Sequence, residues 1–446
     1  MAVQKALIEA PLQLGASAVE LLQRLIRIDT VNPPGNEQPA QELIADMLTD
    51  AGFECELLAA APQRQNLVAR LRGEGTGPTL CLLGHVDTVP AAPADWTFDP
   101  WSGDVADGEV RGRGALDMKG QVASELAAAL ALGGDGWRPP SGELLVVITA
   151  DEERGATFGA RWLCENHPEK VRSDFVINEG GGTAFELRGR RCYPLSVGEK
   201  GVFRFRVIAR GQAGHASVPA MGDNALLKLG PAIERLSHQP PLEATPEGLA
   251  FLSALDGGEV TEDNFDAALE RLRSEAPLLA AYLAEPMMRV TVVPTMSTAS
   301  PKENVIPAKA ELMIDCRVPL GMGETEVRSR IEPLVKAEGD LELSFLERVS
   351  GNRSPIRTPL AEAIEAWLAR VDPGSIVVPI AMPGFSDSHW FRRAFDAAVV
   401  YGFSPQRDMD LYEAGPLIHG ADERAKASDI ELSAKFFYEI VPEMLR

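Results

Sequence analysis

LCLLGHVDTVP (residues 80–90) and ELLVVITADEERGA (residues 143–156) share one pattern: a continuous apolar run that stops at a histidine or a cluster of acids. An apolar run without polar alternation reads as a strand buried on both faces, as in a parallel sheet covered by helices. FVINEGGG (residues 175–182) repeats the pattern. Ligand sites of open α/β sheets gather at the carboxyl ends of the strands. His85, Glu152, Glu153 and Glu179 fall where such a site is expected.

The surrounding chain agrees with an α/β fold. Ser17-Ala18-Val19-Glu20 has the form of a capping box, and Leu21, Leu22, Leu25 and Ile26 follow at helical spacing. Residues 37–51 predict a second amphipathic helix, stopped at Gly52. FECELLA, NLVARL and PTLCLLGH read as strands, and MKGQVASELAAALAL as a helix. Strands alternating with helices predict an α/β domain with helices on both faces of a mixed sheet. The style changes near residue 198, where VFRFRVIARG alternates apolar and polar residues, as in a sheet with one open face. The order strand-helix-strand-strand-helix-strand over 198–350 predicts an α+β sandwich, with extra helical material at 241–287. After residue 351 the first style returns in SIVVPI, DAAVVYGF and DIELSAKFFYEIV. The expected domains are therefore 1–197 with 351–446, and an inserted 198–350.

Bulk properties narrow the function. At 446 residues the chain exceeds one ordinary core. Its formal charge of −22 and lack of any basic run exclude a nucleic-acid partner, since phosphate binding needs a basic patch. MAVQKALIEAPLQLG has no long apolar core before a small-residue cleavage site, so no secretory leader is expected. No stretch approaches the length of a membrane span. The five cysteines (Cys55, Cys81, Cys164, Cys192 and Cys316) are odd in number and form no C-x-x-C pair. They predict free thiols in a reducing, cytoplasmic compartment.

The acids and histidines suit a metal. In His85-Val86-Asp87 the first and third residues project from one face of an extended segment, so His85 can bind metal while Asp87 orients its ring. Asp117, in GRGALDMKG, sits in a turn before a helix, where a carboxylate can point at the same ion. Glu152 and Glu153 diverge in direction, so one can ligate while the other faces an attacking water. His419, in LIHGADE, supplies a second imidazole. Counting Asp117, Glu153 and Glu179 as ligands, three carboxylates and a bridging hydroxide offset two divalent cations. Zinc suits such mixed ligands, and cobalt or manganese also fits.

IDTVNPPGNE (28–37), GHVDTVP (84–90), GRGALDMKG (112–120), the acids at 151–153, NEGGG (178–182), GHASVP (214–219), ENVIP (303–307) and HGADE (419–423) together resemble the M20 family of metallopeptidases and deacylases. That family includes acetylornithine deacetylase, succinyl-diaminopimelate desuccinylase, aminoacylase-1, carboxypeptidase G2 and carboxypeptidase S-like enzymes. The resemblance implies a dinuclear zinc catalytic domain with an inserted lid or dimerisation domain, and so a homodimer. One zinc would take His85 and Glu179, the other Glu153 and His419. Asp117 would bridge them, followed by a peptide that is often cis. Asp87 would orient His85, and Glu152 would act as general base and acid. His215 resembles the family's lid histidine that reaches a substrate carbonyl, often in the partner subunit's site. Asn304 and Arg317 match lid positions that contact substrate. Asp387, in GFSDSHWF, keeps the acidic position of a loop that often reads G-T-D-A, and Ser388-His389 departs from that form.

The implied reaction is hydrolysis of N-acyl amino acids or C-terminal peptide bonds. The substrate would be a small carboxylate-bearing amide or peptide, its carboxylate held by the two parallel hydrogen bonds that Arg317 can donate. The alternatives are a dipeptidase or aminopeptidase of the same family, or a non-catalytic binding member, against which an intact Glu152 argues. A two-metal phosphoesterase lacks a Gly-rich phosphate cradle followed by lysine.

Overall fold

Parity along the apolar runs builds the first layer of the molecule. Leu80 and Leu82, Leu144, Val146 and Ile148, and Leu67, Ala69 and Leu71 lie on one side of their strands and join a single buried cluster. Cys81, Leu83, Leu145, Val147 and Val176 point the other way and are equally buried, so both faces of the sheet are covered.

The computed structural model describes residues 10–336 and 341–446. The expected absence of a leader rests on a stretch whose residues 1–9 lie outside the described residues, and residues 337–339 of ETEVRSRIEPLVKAEG (324–339), which reads as the second helix of the inserted domain, lie outside them too. The chain forms two compact units, Met1–Val197 with Ser354–Pro379 and Ser386–Arg446, and Gly198–Arg353 with Ile380–Phe385. The six residues 380–385 group with the second unit although their neighbours on both sides belong to the first. Nothing in their composition signals this.

In the first unit the sheet runs in the order Glu54–Ala59, Gln65–Arg72, Glu143–Thr149, Thr79–His85, Phe175–Asn178, Val399–Gly402, Arg190–Glu199. Its four central strands, Glu143–Thr149 to Val399–Gly402, are parallel. One face carries the helices Leu14–Ile26, Gln38–Asp50, Lys119–Gly134, Pro359–Val371 and Ala427–Met444, whose apolar stripes supply the rest of the cluster. On the other side the helices Ala160–Asn166 and Ser388–Ala394 pack together, the latter on Val399–Gly402. The first helix corrects the capping-box expectation. It begins at Leu14, and Ser17 already bonds to Gln13 inside its first turn. Leu14 extends the buried stripe of Ala18, Leu21, Leu22 and Leu25 by one turn, and burial outweighs the local cap signal. Gly52 stops the second helix as expected, with φ +89 and its N–H on the Thr49 carbonyl.

The second unit is a separate sheet-and-helix layer. Its strands run Gly201–Val202, Lys309–Val318, Phe205–Arg210, Glu342–Phe345, with Thr291–Thr298 antiparallel on Lys309–Val318. Alternate residues Ala310, Leu312, Ile314, Cys316 and Val318 face inward, where helices Ala225–Leu236 and Glu324–Lys336 cover them. The insertion is helical, with Pro246–Asp256 and Phe265–Glu275 followed by helical turns to Met287. All five cysteines are free thiols, and no helix among the described residues is long and apolar enough to cross a membrane.

Candidate metal centre

The four parallel strands end side by side, and the expected ligands stand at or just past these ends. His85 is the last residue of its strand, in register with Thr149 of the next. Glu179 follows Asn178 directly. Glu152 and Glu153 lie in a short helical turn after Asp151, whose left-handed backbone (φ 65) breaks the line of the strand. Asp117 lies in the turn before the helix Lys119–Gly134, and its peptide to Met118 is cis.

Two groups of three side chains result, His85 with Asp117 and Glu179, and Asp117 with Glu153 and His419. His85 Nε2 lies 3.3 Å from Asp117 Oδ1 and 3.7 Å from Glu179 Oε1. His419 Nε2 lies 3.0 Å from Asp117 Oδ2 and 3.1 Å from Glu153 Oε2. Ligand atoms about 2.1 Å from a tetrahedral ion stand about 3.4 Å apart, so these spacings fit two ions sharing Asp117. Buried His85 Nε2 and Glu153 Oε1 have no hydrogen-bond partner, as expected of atoms aimed at a cation.

The electrostatics point the same way. No lysine or arginine pairs with Asp117, Glu152, Glu153 or Glu179 among the described residues. Burial and the charge of Glu179 push the Glu152 carboxyl well above its ordinary range. Burial and Asp117 do the same to Glu179. Asp117 and Glu153 hold the His419 imidazole up to about 10. Protons stand in for absent positive charge, which is what divalent cations would supply.

A sequence model of peptidase family M20/M25/M40 matches residues 81–443. The chain belongs to that family. It is 29% identical over 433 residues to a succinyl-diaminopimelate desuccinylase of Cereibacter sphaeroides, covering 95% of this chain and 98% of that protein. Two crystal structures share the fold. Human carnosine dipeptidase 1 aligns at a TM-score of 0.70 and 18% identity, covering 98% of this chain and 99% of its own. An M20 family metallo-carboxypeptidase from Sulfolobus solfataricus aligns at 0.70 and 16%, covering 96% and 99%. The chain is thus an amide-bond hydrolase of a metal-dependent family.

In this M20 chain the supporting residues differ in part from expectation. His85 Nδ1 lies 3.0 Å from the main-chain oxygen of Asp87 and 3.5 Å from its carboxylate. That carboxylate also accepts the N–H groups of Glu152 and Glu153, both at 3.2 Å, and Asn32 Nδ2 at 2.8 Å. Asp387 is buried, and its Oδ2 accepts the Thr149 hydroxyl at 2.6 Å. In the second unit His215 and Asn304 are neighbours on a two-stranded ribbon, where Ala216 N–H donates to the Asn304 carbonyl. Arg317 pairs with Asp315 on its own strand, leaving Nη1 buried without a partner.

Sequence reasoning missed Glu423, although HGADE contains it. Its buried carboxylate accepts Arg113 Nη1 at 2.6 Å and the N–H groups of Gly114, Leu116 and Asp117 at 2.9, 2.8 and 3.1 Å. Arg113 also donates to the carbonyls of His419 and Gly420. One ion pair therefore ties the Asp117 turn to the His419 loop. Four acceptor bonds at one carboxylate were not visible as a spacing, because the partners lie some three hundred residues apart in the chain.

Proposed function

We propose that the chain is a dinuclear zinc hydrolase that cleaves N-acyl amino acids or the C-terminal bond of small peptides. The observation that carries this is the pair of three-residue groups sharing Asp117, with a further carboxylate, Glu152, beside them and in neither. His85, Asp117, Glu179, Glu153 and His419 would hold the metals. Two zinc ions held there would supply Lewis acidity and an ionised water near neutral pH. Glu152 stands 3.9 Å from His85 Nε2, on the same side as the ligands, and its raised affinity for protons suits a group that takes a proton from water and delivers it to the leaving amine. Asp87 holds the turn that bears Glu152, and Asp387 supports the strand end through Thr149.

His215 would donate to the developing oxyanion. Its Nδ1 accepts the Ser217 N–H at 3.2 Å, which in the neutral ring makes Nε2–H the donor. Asn304 beside it would contact the substrate's polar atoms. Arg317, with one free N–H edge beyond its Asp315 pair, would take the substrate carboxylate. We read the chain as a homodimer in the cytoplasm. Its free thiols fit a reducing compartment. The strand Thr291–Thr298 has no second strand partner among the described residues, and it exposes Val293 and Met296. Such an apolar edge suits isologous pairing.

The test is hydrolysis of N-acetyl, N-succinyl and N-aromatic-acyl amino acids, their carboxamides, and dipeptides by metal-stripped protein with and without zinc. Zinc-dependent turnover restricted to free carboxylates is expected. Turnover that ignores metal would overturn the reading, and equal rates on carboxamides would remove Arg317 from it. Mixing inactive His215→Ala and Glu152→Gln chains checks subunit sharing. Recovered activity is expected if His215 serves its partner's site.

A further inference from the structure

IDTVNPPGNE is left without a role by the metal ligands and the base, yet the fold folds it around one buried arginine. Arg64 sits just before the strand Gln65–Arg72. Its Nε and Nη2 donate to Glu37 Oε2 and Oε1, both at 2.8 Å, a bidentate pair. Nη2 also donates to Asp151 Oδ1 at 2.9 Å. The guanidinium lies 5.1 Å from the centre of the Phe158 ring. Gly35, at φ +85, allows the preceding turn to lie against it, for a Cβ there would stand 2.3 Å from Arg64 Cζ. Only a planar, forked cation fills this place.

Asp151 is the hinge between the strand Glu143–Thr149 and the residues that do chemistry. Its Oδ2 accepts the Phe158 N–H at 3.0 Å and its carbonyl accepts Ala156 N–H at 2.7 Å. Asn32 Nδ2 bridges it to Asp87, with bonds of 3.0 Å to Asp151 Oδ1 and 2.8 Å to Asp87 Oδ2. Asp87 in turn receives the N–H groups of Glu152 and Glu153. A left-handed aspartate is a conformation that its surroundings must impose. Here they impose it from both ends, through Arg64 and Asn32 on its side chain and through Asp87 on the residues that follow.

We propose that Arg64 is a positioning residue for the hydrolysis: through Asp151 it sets the turn that carries the base Glu152 and the ligand Glu153, and Glu37 and Asn32 hold it to that task. Displacing a reacting group by about 1 Å costs up to about a hundredfold in rate. The proposal rests on the reading of Glu152 as the base, but its effect on Glu153 can be seen without any substrate.

The test uses the full chain loaded with cobalt(II) or zinc. Arg64→Met leaves Glu37 unpaired, so the double variant Arg64→Met/Glu37→Gln is made beside it, together with Arg64→Lys. Arg70→Met, which breaks the Arg70–Glu143 pair at the opposite end of the same strand, is the control. In folded protein with the wild-type metal content, the double variant should shift the cobalt absorption bands. It should also lower kcat by about 10- to 100-fold on the amide chosen by the panel, with KM within about threefold. Arg64→Lys should recover part of the loss, and Arg70→Met should change neither reading. A folded, loaded double variant with the wild-type spectrum and kcat within about threefold overturns the proposal. If wild-type protein hydrolyses no amide, the fault lies in the proposed function, and the cobalt bands still decide the role of Arg64.

Discussion

The two ends of the first unit's parallel strands treat charge in opposite ways. At the amino ends Glu143 and Asp174 each meet a partner. Glu143 pairs with Arg70 and, at 3.6 Å, with Arg72, while Asp174 accepts the Thr79 N–H at 2.8 Å. At the carboxyl ends Glu152, Glu153, Glu179 and Asp117 crowd around two imidazoles, with cationic side chains kept one layer back on Asp151 and Glu423. The same strands, with the same apolar interiors, thus end in a neutralised rim and in a deficit of positive charge. The deficit is the functional signature, because natural proteins leave carboxylates buried and uncompensated only where something else neutralises them.

The sharpest way to break this contrast is Glu152→Gln, which removes the carboxylate read as the base, a member of neither ligand group. Turnover should fall by about 10²–10⁴-fold with both metals retained, as metal analysis and kcat will read; a rate near wild type would return Glu152 to the background.

Next comes the pH dependence of metal binding. In the metal-free protein Asp117 and Glu153 hold His419 up to about 10. His85 is held well above its ordinary value by Asp117 and Asp87 even though burial opposes this. His419 therefore carries a proton at neutral pH, His85 is biased the same way, and a metal binds only the neutral ring. Each binding event must release a proton, so affinity is weakest in acid and rises with pH. The expected gain is up to about tenfold per pH unit for each proton displaced, from about pH 6 to about pH 8. Calorimetry in buffers of different ionisation enthalpy checks it, and binding with no proton release would show that the charge deficit is illusory.

Glu423→Gln tests the layer behind the ligands. It removes the charge facing Arg113 and weakens the acceptor of three N–H groups around Asp117. Zinc affinity should drop by about 10- to 100-fold in a competition titration, and an unchanged affinity would separate Glu423 from the metal centre. The smallest effect is expected at the neutralised rim. Arg70→Met should lower stability by about 1 kcal/mol or less, read by urea denaturation, and leave kcat alone.

These predictions fall on residues of unequal legibility. His85, Glu152, Glu153 and Glu179 were readable because each stands where an apolar run stops, a local signal that burial imposes on any such strand. The alternation of VFRFRVIARG likewise marked the second unit, since one face of its sheet is covered and the other open. Arg64, Asn32 and Glu423 carried no such signal. Their partners lie 87, 119 and more than 300 residues away, and a side chain's distant acceptor leaves no trace in its own neighbourhood. Asp387 was readable as an acid near the site, but its burial against Thr149 was not. The start of the first helix was misjudged because a cap pattern is worth about 1 kcal/mol, whereas burying one more leucine is worth about 2.

The chain leaves the first unit at residue 197, returns at 354 and leaves it once more for residues 380–385, and this split has a consequence for the order of events during synthesis. Every strand of the second unit's sheet comes from residues 201–345, so that layer can close as soon as its own stretch has emerged. The first unit must wait. The strand Val399–Gly402 and the helix Ala427–Met444 complete its sheet and core, and the ligands His85 and His419 lie far apart in the chain, one before residue 100 and the other after residue 400. A half-made molecule therefore holds the acids of Glu152, Glu153 and Glu179 without the loop that closes them into a pair of sites. Metal arriving early finds His85, Asp117 and Glu179 but not the second site, which lacks His419, and full loading becomes a property of the finished chain.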